Sequence, residues 1–414
     1  MSTLDKQAII DLASEYVCPG RVKTFRETGV EVVMARREGN FFYDVDGRQL
    51  FDVHINGGTF SLGHRNPEIL QTVREALDAY DIGNHHFASE PRARAAEMIA
   101  ALTPGDLKFT VFASGGSEAT DIAIKTARRA TGRRKIVSID CGYHGHTGLS
   151  MTVGDPTVAR YFLSDGPASD SVRVPFNDLG AVETALSGDD VAAMIIETIP
   201  ATAGFTLPAE GYLAGVKRLC ESHGALYIAD EVQTGLGRTG RMWGVECYGV
   251  EPDILISAKG LSGGVYPIAA TVLSSRVADW LFENGWGHVS TFGGSEIGCR
   301  VAMKTLEICS RPEVLENVAT VSDYLGDAMQ GLRQRYPFFK GLRRKGLVMG
   351  LEFDHEWGGT MMTGAGYECG LWAFFASFDR SVLQFKPSIL ITKNECDDLL
   401  NRLEDSIKLA VSRI

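Results

Sequence analysis

The sequence predicts an α/β fold, with one large unit built on a mostly parallel sheet and a second, smaller α+β unit. In the middle of the chain, short apolar runs bounded by turns alternate with helix-like stretches, which is typical of a parallel sheet with helices on both faces. The predicted strands cover residues 109–113, 135–139, 191–196, 225–229, 254–257 and 268–273. The predicted helices between them cover residues 117–130, 179–186 and 212–223.

After about residue 295 the pattern changes to long amphipathic helices around two strands. The helices are predicted at 300–308, 314–335 and 394–412, and the strands at 346–353 and 382–385. Strands predicted at 30–36 and 41–44 are expected to pack with this C-terminal unit. The sequence therefore predicts an N-terminal segment (1–55), a large domain (56–305) and a small domain (306–414), so that both termini contribute to the smaller unit.

The composition is that of an ordinary globular protein. Of 414 residues, 44% are hydrophobic and 22% are charged, which argues against disorder and coiled coil. With 41 basic and 52 acidic residues the net charge is −11, which disfavours nucleic acid or an anionic membrane as a partner. No apolar stretch reaches the roughly 18 residues of a membrane helix and no targeting segment is recognisable, so a cytoplasmic location is expected. Eight scattered cysteines without a CxxC pair predict reduced thiols.

Ligands of open α/β sheets bind beyond the carboxyl ends of the strands, and distinctive residues follow four of the predicted strands. The first group is the turn Ser114-Gly115-Gly116-Ser117, which leads from a strand into a helix. Glycines allow close approach of the backbone, and a helix N-terminus attracts an anion such as phosphate. A tight turn with Ser117 as the helix cap is the alternative.

The second group is Tyr143-His144-Gly145, whose aromatic ring could stack on a planar cofactor, although this motif alone favours an ordinary loop tyrosine. His144 and His146, with His85 and His86, raise the question of a metal. No carboxylate or thiol pattern accompanies these histidines, so no metal site is predicted.

The third group is Asp230-Glu231, two acids that directly end an apolar strand. A carboxylate in a dry site needs a cation or hydrogen-bond donors, and a protonated pyridine nitrogen would supply both, whereas a helix-capping aspartate is the alternative. The fourth is Lys259, which an apolar strand delivers into a glycine-rich turn. A lysine placed there suggests a nucleophile that forms a Schiff base, and a lysine whose head reaches solvent is the alternative.

One competing motif is present. Gly235-Leu236-Gly237-Arg238-Thr239-Gly240 matches the dinucleotide pattern GxGxxG. Four residues separate it from the preceding strand and the following residues have poor helical character, so a nicotinamide-dependent oxidoreductase remains a distant alternative.

Taken together, the four groups resemble the class III (ornithine or ω-type) aminotransferases of pyridoxal-phosphate (PLP) fold type I, over about residues 39–392. The motifs that carry the resemblance are Asp230 to Gly240, Ala258-Lys259-Gly260-Leu261-Ser262-Gly263-Gly264 and Ser290-Thr291-Phe292-Gly293-Gly294. The resemblance implies a PLP-dependent aminotransferase with a ping-pong Schiff-base mechanism, an amine donor and a keto or aldehyde acceptor.

The resemblance also implies roles for individual residues. Lys259 should form the Schiff base and move the substrate proton, and Asp230 should pair with the pyridine nitrogen. The other implied cofactor contacts are Gly115, Gly116 and Ser117 at the phosphate, Tyr143 and His144 near the ring, Val232 under it, Gln233 at its hydroxyl and Glu197 in support. Thr291 matches a threonine that reaches the phosphate across a dimer interface, which implies a homodimer with shared active sites.

Two positions depart from the family pattern. Members that act on α-amino acids typically carry arginine at the position of Gln384, and in the ornithine-type branch a glutamate at the position of Thr202 partners it. Glutamine cannot make the bidentate charged pair that arginine makes with a carboxylate. The sequence therefore predicts an ω-amine, amino ketone or amino-sugar substrate, with Arg380 or Lys386 as other candidates for holding a carboxylate. An aminomutase, epimerase or amine lyase of the same fold is left open.

Overall fold

The computed structural model describes residues 4–414 of the chain. Its N-terminal part starts with two helices and a three-stranded antiparallel sheet, followed by one irregular turn and two helices. These elements are α1 (Lys6–Tyr16), α2 (Pro19–Glu27), β1 (Met34–Glu38), β2 (Phe41–Asp44), β3 (Gln49–Asp52), α3 (Ile55–Gly58), α4 (Pro67–Leu77) and α5 (Glu90–Leu102).

The middle of the chain forms a seven-stranded sheet. Its elements are β4 (Leu107–Ala113), α6 (Gly116–Thr131), β5 (Lys135–Ile139), α7 (Gly148–Val153), α8 (Pro156–Tyr161), β6 (Ser171–Val174), α9 (Leu179–Leu186), β7 (Val191–Glu197), α10 (Tyr212–Ser222), β8 (Leu226–Asp230), β9 (Ile254–Ser257), β10 (Ala269–Ser274) and α11 (Asp279–Glu283). The strand order is β4-β10-β9-β8-β7-β5-β6, and β10 alone runs against its neighbours. This confirms the predicted α/β class with a mostly parallel sheet.

Both faces of this sheet are covered, because consecutive strand residues enter two different apolar clusters. Met194 and Tyr227 pack on the side of α9 and α10, whereas Ile195 and Ile228 pack on the side of α6. A parallel strand buried on both faces is a near-continuous apolar run. That is why the sequence pattern located these strands.

The C-terminal part is a second, four-stranded sheet with long helices. Its elements are α12 (Glu296–Cys309), α13 (Pro312–Arg335), β11 (Phe339–Lys345), β12 (Val348–Phe353), α14 (Gly358–Glu368), β13 (Leu371–Trp372), β14 (Phe374–Ala376), β15 (Asp379–Phe385) and α15 (Lys393–Val411). The sheet order is β11-β12-β15-β14, while β13 pairs in parallel with β3 of the N-terminal part. We propose the division at residues 55 and 305; the pairing of β13 with β3 supports the part of this proposal that joins the N-terminal segment to the smaller unit.

Several predicted boundaries were wrong. The strand expected at 30–36 begins only at Met34, because the backbone N–H of Val30 still closes the end of α2 on Phe25. The helix expected from residue 300 begins at Glu296, where the side chain of Ser295 caps it. Five strands were missed because their sequences are polar or short, namely β3, β6 at the sheet edge, the charged β11, β13 and β14.

Two further features concern the whole described chain. All eight cysteines are free thiols. Between residues 4 and 414, none of the helices combines the length and the apolar character that crossing a bilayer requires.

Candidate active site

A cavity of about 320 Å³ lies at the edge of the central sheet where the parallel strands end. It brings together every predicted cofactor residue except Thr291: Gly115, Gly116, Ser117, Tyr143, His144, Glu197, Asp230, Val232, Gln233 and Lys259. The sequence interpretation did not select Thr59, Ala258, Ser262, Pro267 or Ile268, which also line it. Since β10 is antiparallel, its amino end reaches this same edge, and that reversal could not be read from the apolar pattern. We call this space the central cavity.

The glycine-rich turn at the start of α6 leaves a helix N-terminus free to face the central cavity. The cap residue is Gly115 in an extended conformation, and no side chain caps the helix. The alternative in which Ser117 is the cap is therefore wrong. The Oγ of Ser117 instead accepts a hydrogen bond from the backbone N–H of His146 at 3.3 Å. A Cβ on Gly145 would lie 2.2 Å from this Oγ, so only glycine allows the close approach.

Asp230 ends β8 with its carboxylate held on both oxygens. Its Oδ2 lies 2.7 Å from Nδ1 of His144, and its Oδ1 accepts the backbone N–H of Val232 at 3.0 Å. The side chains of Asp230 and His144 are both buried. His144 thus sits behind the carboxylate rather than in a metal cluster. Among residues 4–414, no group of three or more potential ligands is arranged to hold a metal ion.

The neighbouring acid, Glu231, points away from the central cavity. Its carboxylate accepts hydrogen bonds from the hydroxyls of Thr198 and Thr234 and from the backbone N–H groups of Gly244 and Val245. Burial raises its pKa to about 7. Of the two acids at this strand end, Glu231 organises the loop and Asp230 alone faces the cavity.

Lys259 follows β9 and is held in a strained backbone conformation. Its φ of 43° lies in the left-handed region, which costs a non-glycine residue about 1–3 kcal/mol. Its Nζ lies 6.0 Å from the centre of the Tyr143 ring. Burial lowers the pKa of Lys259, while the charges of Asp230 and Glu197 oppose that shift. A lysine in this environment is a candidate nucleophile.

Glu197 ends β7, directly beside Asp230 in the sheet register. Its Oε1 accepts the backbone N–H of Tyr143 at 3.0 Å and its Oε2 accepts that of Ala201 at 3.2 Å. Burial raises its pKa to about 7, although His144 opposes the shift, and Asp230 raises it further. Glu197 therefore fixes the loop that carries Tyr143.

The chain just after the N-terminal segment contacts side chains of the central cavity. Gly57, at φ 68°, leaves room for the side chains of Lys259 and Gln233. A Cβ at this position would lie 3.2 Å from Cε of Lys259 and 3.7 Å from Oε1 of Gln233. No sequence motif marks Gly57. Its role depends on the chain returning to the sheet edge from more than 170 residues away.

The three candidate substrate residues do not line the central cavity. Thr202 donates its hydroxyl to the backbone oxygen of Cys141 at 3.2 Å. Arg380 is exposed, and its guanidinium lies 4.7 Å from the centre of the Trp357 ring. Gln384 is buried and accepts a hydrogen bond at 2.7 Å from the amine of Lys386, which is itself fully buried.

Thr291 is exposed, next to Ser290, whose Oγ is 3.4 Å from that of Ser114 in the glycine-rich turn. The loop therefore lies against the turn of its own subunit, while Thr291 faces outward.

The motif from Gly235 to Gly240 does not form a dinucleotide site. It lies in consecutive turns and leads into a short 3₁₀ helix, Gly244–Tyr248. Gly235 packs against the ring of Trp243, which a Cβ would approach to 2.8 Å. Arg238 is buried and donates to Ser61 and to the backbone oxygens of Leu347 and Pro387. These glycines and this arginine serve packing.

Comparisons with known proteins agree on one family. The model of the family Aminotransferase class-III matches residues 24–407. The chain belongs to the class III aminotransferases. An uncharacterized aminotransferase of Archaeoglobus fulgidus is 48% identical over 408 residues, covering 99% of this chain and 96% of that protein. A putrescine aminotransferase of Pectobacterium atrosepticum is 33% identical, and the match covers 97% of this chain and 89% of that protein.

The solved structures extend this agreement to the fold and the cofactor. The ornithine aminotransferase of Toxoplasma gondii, described with PLP at partial occupancy of its active site, is 26% identical with a TM-score of 0.88. The match covers 99% of this chain and 95% of that one. The predicted family, fold type I architecture and enzyme class are confirmed, and this class III aminotransferase is PLP-dependent.

The residues of the central cavity fit PLP. An uncapped helix N-terminus suits its phosphate, a buried carboxylate suits a protonated ring nitrogen, and a half-buried lysine with a lowered pKa suits its aldehyde. The volume of the cavity is at the small end of the usual range for ligand pockets, about 300–1,000 Å³.

The raised pKa of Glu197 gives a testable pH dependence. Unfolded Glu197 releases its proton near pH 4.5, whereas the folded apoprotein keeps it to about pH 7, so ionisation lowers stability as the pH rises between these values. Relative to wild type, Glu197→Gln should therefore be less destabilised at pH 8 than at pH 5, by roughly 2–3 kcal/mol. Urea unfolding of both apoproteins at the two pH values measures this difference.

The exposed Glu210→Gln is the control and should show no such change between the two pH values. An equal destabilisation of Glu197→Gln at pH 5 and pH 8 would contradict the assignment.

Proposed function

We propose that this class III aminotransferase takes its amino group from an ω-amine, amino ketone or amino sugar and passes it to a ketone or aldehyde in two successive half-reactions. The observation that carries the proposal is the chemistry of position 384. A neutral glutamine stands where α-amino-acid enzymes of the family typically carry arginine, and its oxygen is occupied by Lys386. A substrate carboxylate at that position would lack a bidentate charged partner.

Position 202 supports the same proposal. Thr202 carries no charge and its hydroxyl is bound to the backbone oxygen of Cys141. The exposed Arg380 stacks on Trp357, outside the central cavity. A relative with 33% identity is a putrescine aminotransferase, and putrescine is a diamine without a carboxylate.

The bound PLP supplies an aldehyde that links covalently to amines and a pyridine ring that withdraws electrons. We propose that Lys259 holds the cofactor through this aldehyde and, once an amine substrate has displaced it, moves a proton at the substrate carbon through its Nζ. Its lowered pKa, caused by desolvation, favours the neutral amine that both tasks require.

The remaining residues of the central cavity would bind and orient the cofactor. We propose that Asp230 pairs with the ring nitrogen, and that His144 holds the Asp230 carboxylate in place through its 2.7 Å hydrogen bond. Gly115, Gly116 and Ser117 would bind the phosphate at the start of α6. Tyr143 and Val232 would face the ring, Gln233 its hydroxyl, and Glu197 would fix the Tyr143 loop.

Removing the amine of Lys259 tests the centre of this proposal. Lys259→Ala should lower the rate of amino transfer by at least about 1,000-fold, because both the covalent link and the proton carrier are lost. Borohydride reduction followed by peptide mapping should attach the cofactor to Lys259 in the wild type. The exposed Lys23→Ala is the control and should behave as wild type. Full turnover by Lys259→Ala would refute the role.

The substrate class is tested with two donors that differ by one carboxylate. Putrescine should give a kcat/KM for the first half-reaction at least about 10-fold above that of L-ornithine, because a carboxylate must be desolvated without a charged partner. The absorbance of the cofactor, followed in single-turnover experiments, measures this constant for both donors. Arg380→Met should leave the ratio of the putrescine value to the ornithine value unchanged. Turnover confined to ornithine and other α-amino acids would contradict the proposal.

We further propose that the enzyme is a cytoplasmic homodimer in which Thr291 of one subunit completes the phosphate site of the other. Several large apolar side chains are exposed around the Thr291 loop, and exposed apolar patches of this kind mark interfaces. They are Phe87, Phe282, Trp286, Val289 and Phe292. The free state of all eight cysteines is compatible with a reducing compartment.

Light scattering should give twice the chain mass of 45.0 kDa, and Trp286→Asp should shift the protein toward the monomer with weaker PLP binding. Trp357, which is exposed and lies beside Arg380, provides the matched control. The Trp357→Asp variant should remain dimeric. A wild-type monomer that binds PLP fully would contradict this arrangement.

A further inference from the structure

A second buried lysine lies directly behind the central cavity. Lys386, just after β15, has no exposed surface, and among residues 4–414 no carboxylate lies within ion-pair distance of its amine. Its Nζ contacts two amide oxygens, Oε1 of Gln384 at 2.7 Å and Oε1 of Gln233 at 3.3 Å. It also lies 4.9 Å from the centre of the Phe205 ring. Isolated buried cations are costly, so this placement calls for a function.

These contacts form a chain of hydrogen bonds with a fixed direction. The backbone oxygen of Phe375 can only accept, so Nε2 of Gln384 faces it, at 3.5 Å, and Oε1 of Gln384 faces Lys386. A lysine ammonium donates and does not accept. Gln233 must therefore turn its oxygen toward Lys386, which leaves its Nε2 as the free end of the amide.

That free end belongs to a residue of the cavity wall. Gln233 lines the central cavity, and within residues 4–414 no protein acceptor binds its Nε2. Without a fixed neighbour, an amide can exchange its donor and acceptor ends by rotation of the side chain. A ring hydroxyl oxygen that has lost its proton needs a donor and not an acceptor.

We propose that Lys386 is a positioning residue that fixes the Gln233 amide with its N–H group toward the ring oxygen of PLP. This inference rests on the proposed role of Gln233 and adds Lys386, which touches neither the cofactor nor the reacting atoms. The anionic ring oxygen, linked through the amide, also supplies the counter-charge that Lys386 lacks in the protein.

The surroundings of Lys386 are consistent with this role. Burial lowers its pKa well below the usual value, the charges of Arg238 and Lys259 add to that shift, and Asp52 and Glu197 oppose it. His54 is the other titratable group whose pKa Lys386 lowers, after burial as the main cause. The fixed direction of these hydrogen bonds requires the ammonium form of Lys386, which a nearby anionic ring oxygen would favour.

A double-mutant cycle on PLP binding tests the inference. Apoproteins of wild type, Lys386→Met, Gln233→Met and the double variant are titrated with PLP, and the dissociation constant and visible absorbance are recorded. Loss of one oriented hydrogen bond should weaken binding about 3- to 10-fold in Lys386→Met, with a band shift in the same direction as in Gln233→Met. In the Gln233→Met background the lysine change should add less than about 2-fold.

Two further variants keep the outcomes distinct. Gln384→Met, which removes the 2.7 Å anchor of Lys386, should weaken PLP binding in the same direction but less; this variant carries the test if Lys386→Met does not fold. Lys393→Met, in the first turn of α15, should bind PLP like wild type.

Unchanged binding and absorbance in Lys386→Met, or equal effects of the lysine change in both backgrounds, would overturn this inference alone. A wild-type protein without a borohydride-reducible chromophore would overturn the proposed roles of Lys259 and Gln233 together with it.

Discussion

The structure depends on one electrostatic constraint. The charged side chains that meet at one edge of the central sheet must balance one another. Lys259, Asp230 and Glu197 all lie at strand ends beside the central cavity, where Asp230 and Glu197 are buried and Lys259 is half-buried. Burial disfavours the charged form of a group, and hydrogen bonds hold the two carboxyl groups: Asp230 through His144 and a backbone N–H group, Glu197 through two backbone N–H groups. A pyridine ring with a protonated nitrogen and an aldehyde would complete that balance.

The sheet topology brings these groups to the same place. β7, β8 and β9 are adjacent and parallel, so the residues that end them lie side by side, and β4 lies one strand beyond β10. Since β10 runs the opposite way, its amino end contributes Pro267 and Ile268 to the same cavity. Gly57 packs against Lys259 and Gln233 of the cavity wall, and a side chain at this position would crowd Lys259.

The smaller sheet supplies polar side chains behind the central cavity. β15 carries Gln384 and places Lys386 just beyond its end, and the amine of Lys386 contacts Gln233 of the cavity wall. Under the proposed role of Gln233, changes on β15 would alter the electrostatic environment of the cofactor without touching it, because hydrogen bonds in a buried setting transmit their direction from one group to the next.

The sequence by itself determined the fold class, the positions of the buried strands and the four groups at their ends. Buried parallel strands are continuous apolar runs, and the motifs around Asp230 and Lys259 are contiguous, so local pattern was sufficient for both. Only the tertiary structure decided which of Asp230 and Glu231 faces the cavity, that His144 supports Asp230, and that Gly57 and Lys386 contact residues of the cavity wall. Those facts depend on contacts between residues far apart in the chain, and on the direction of single side chains, neither of which a local pattern contains.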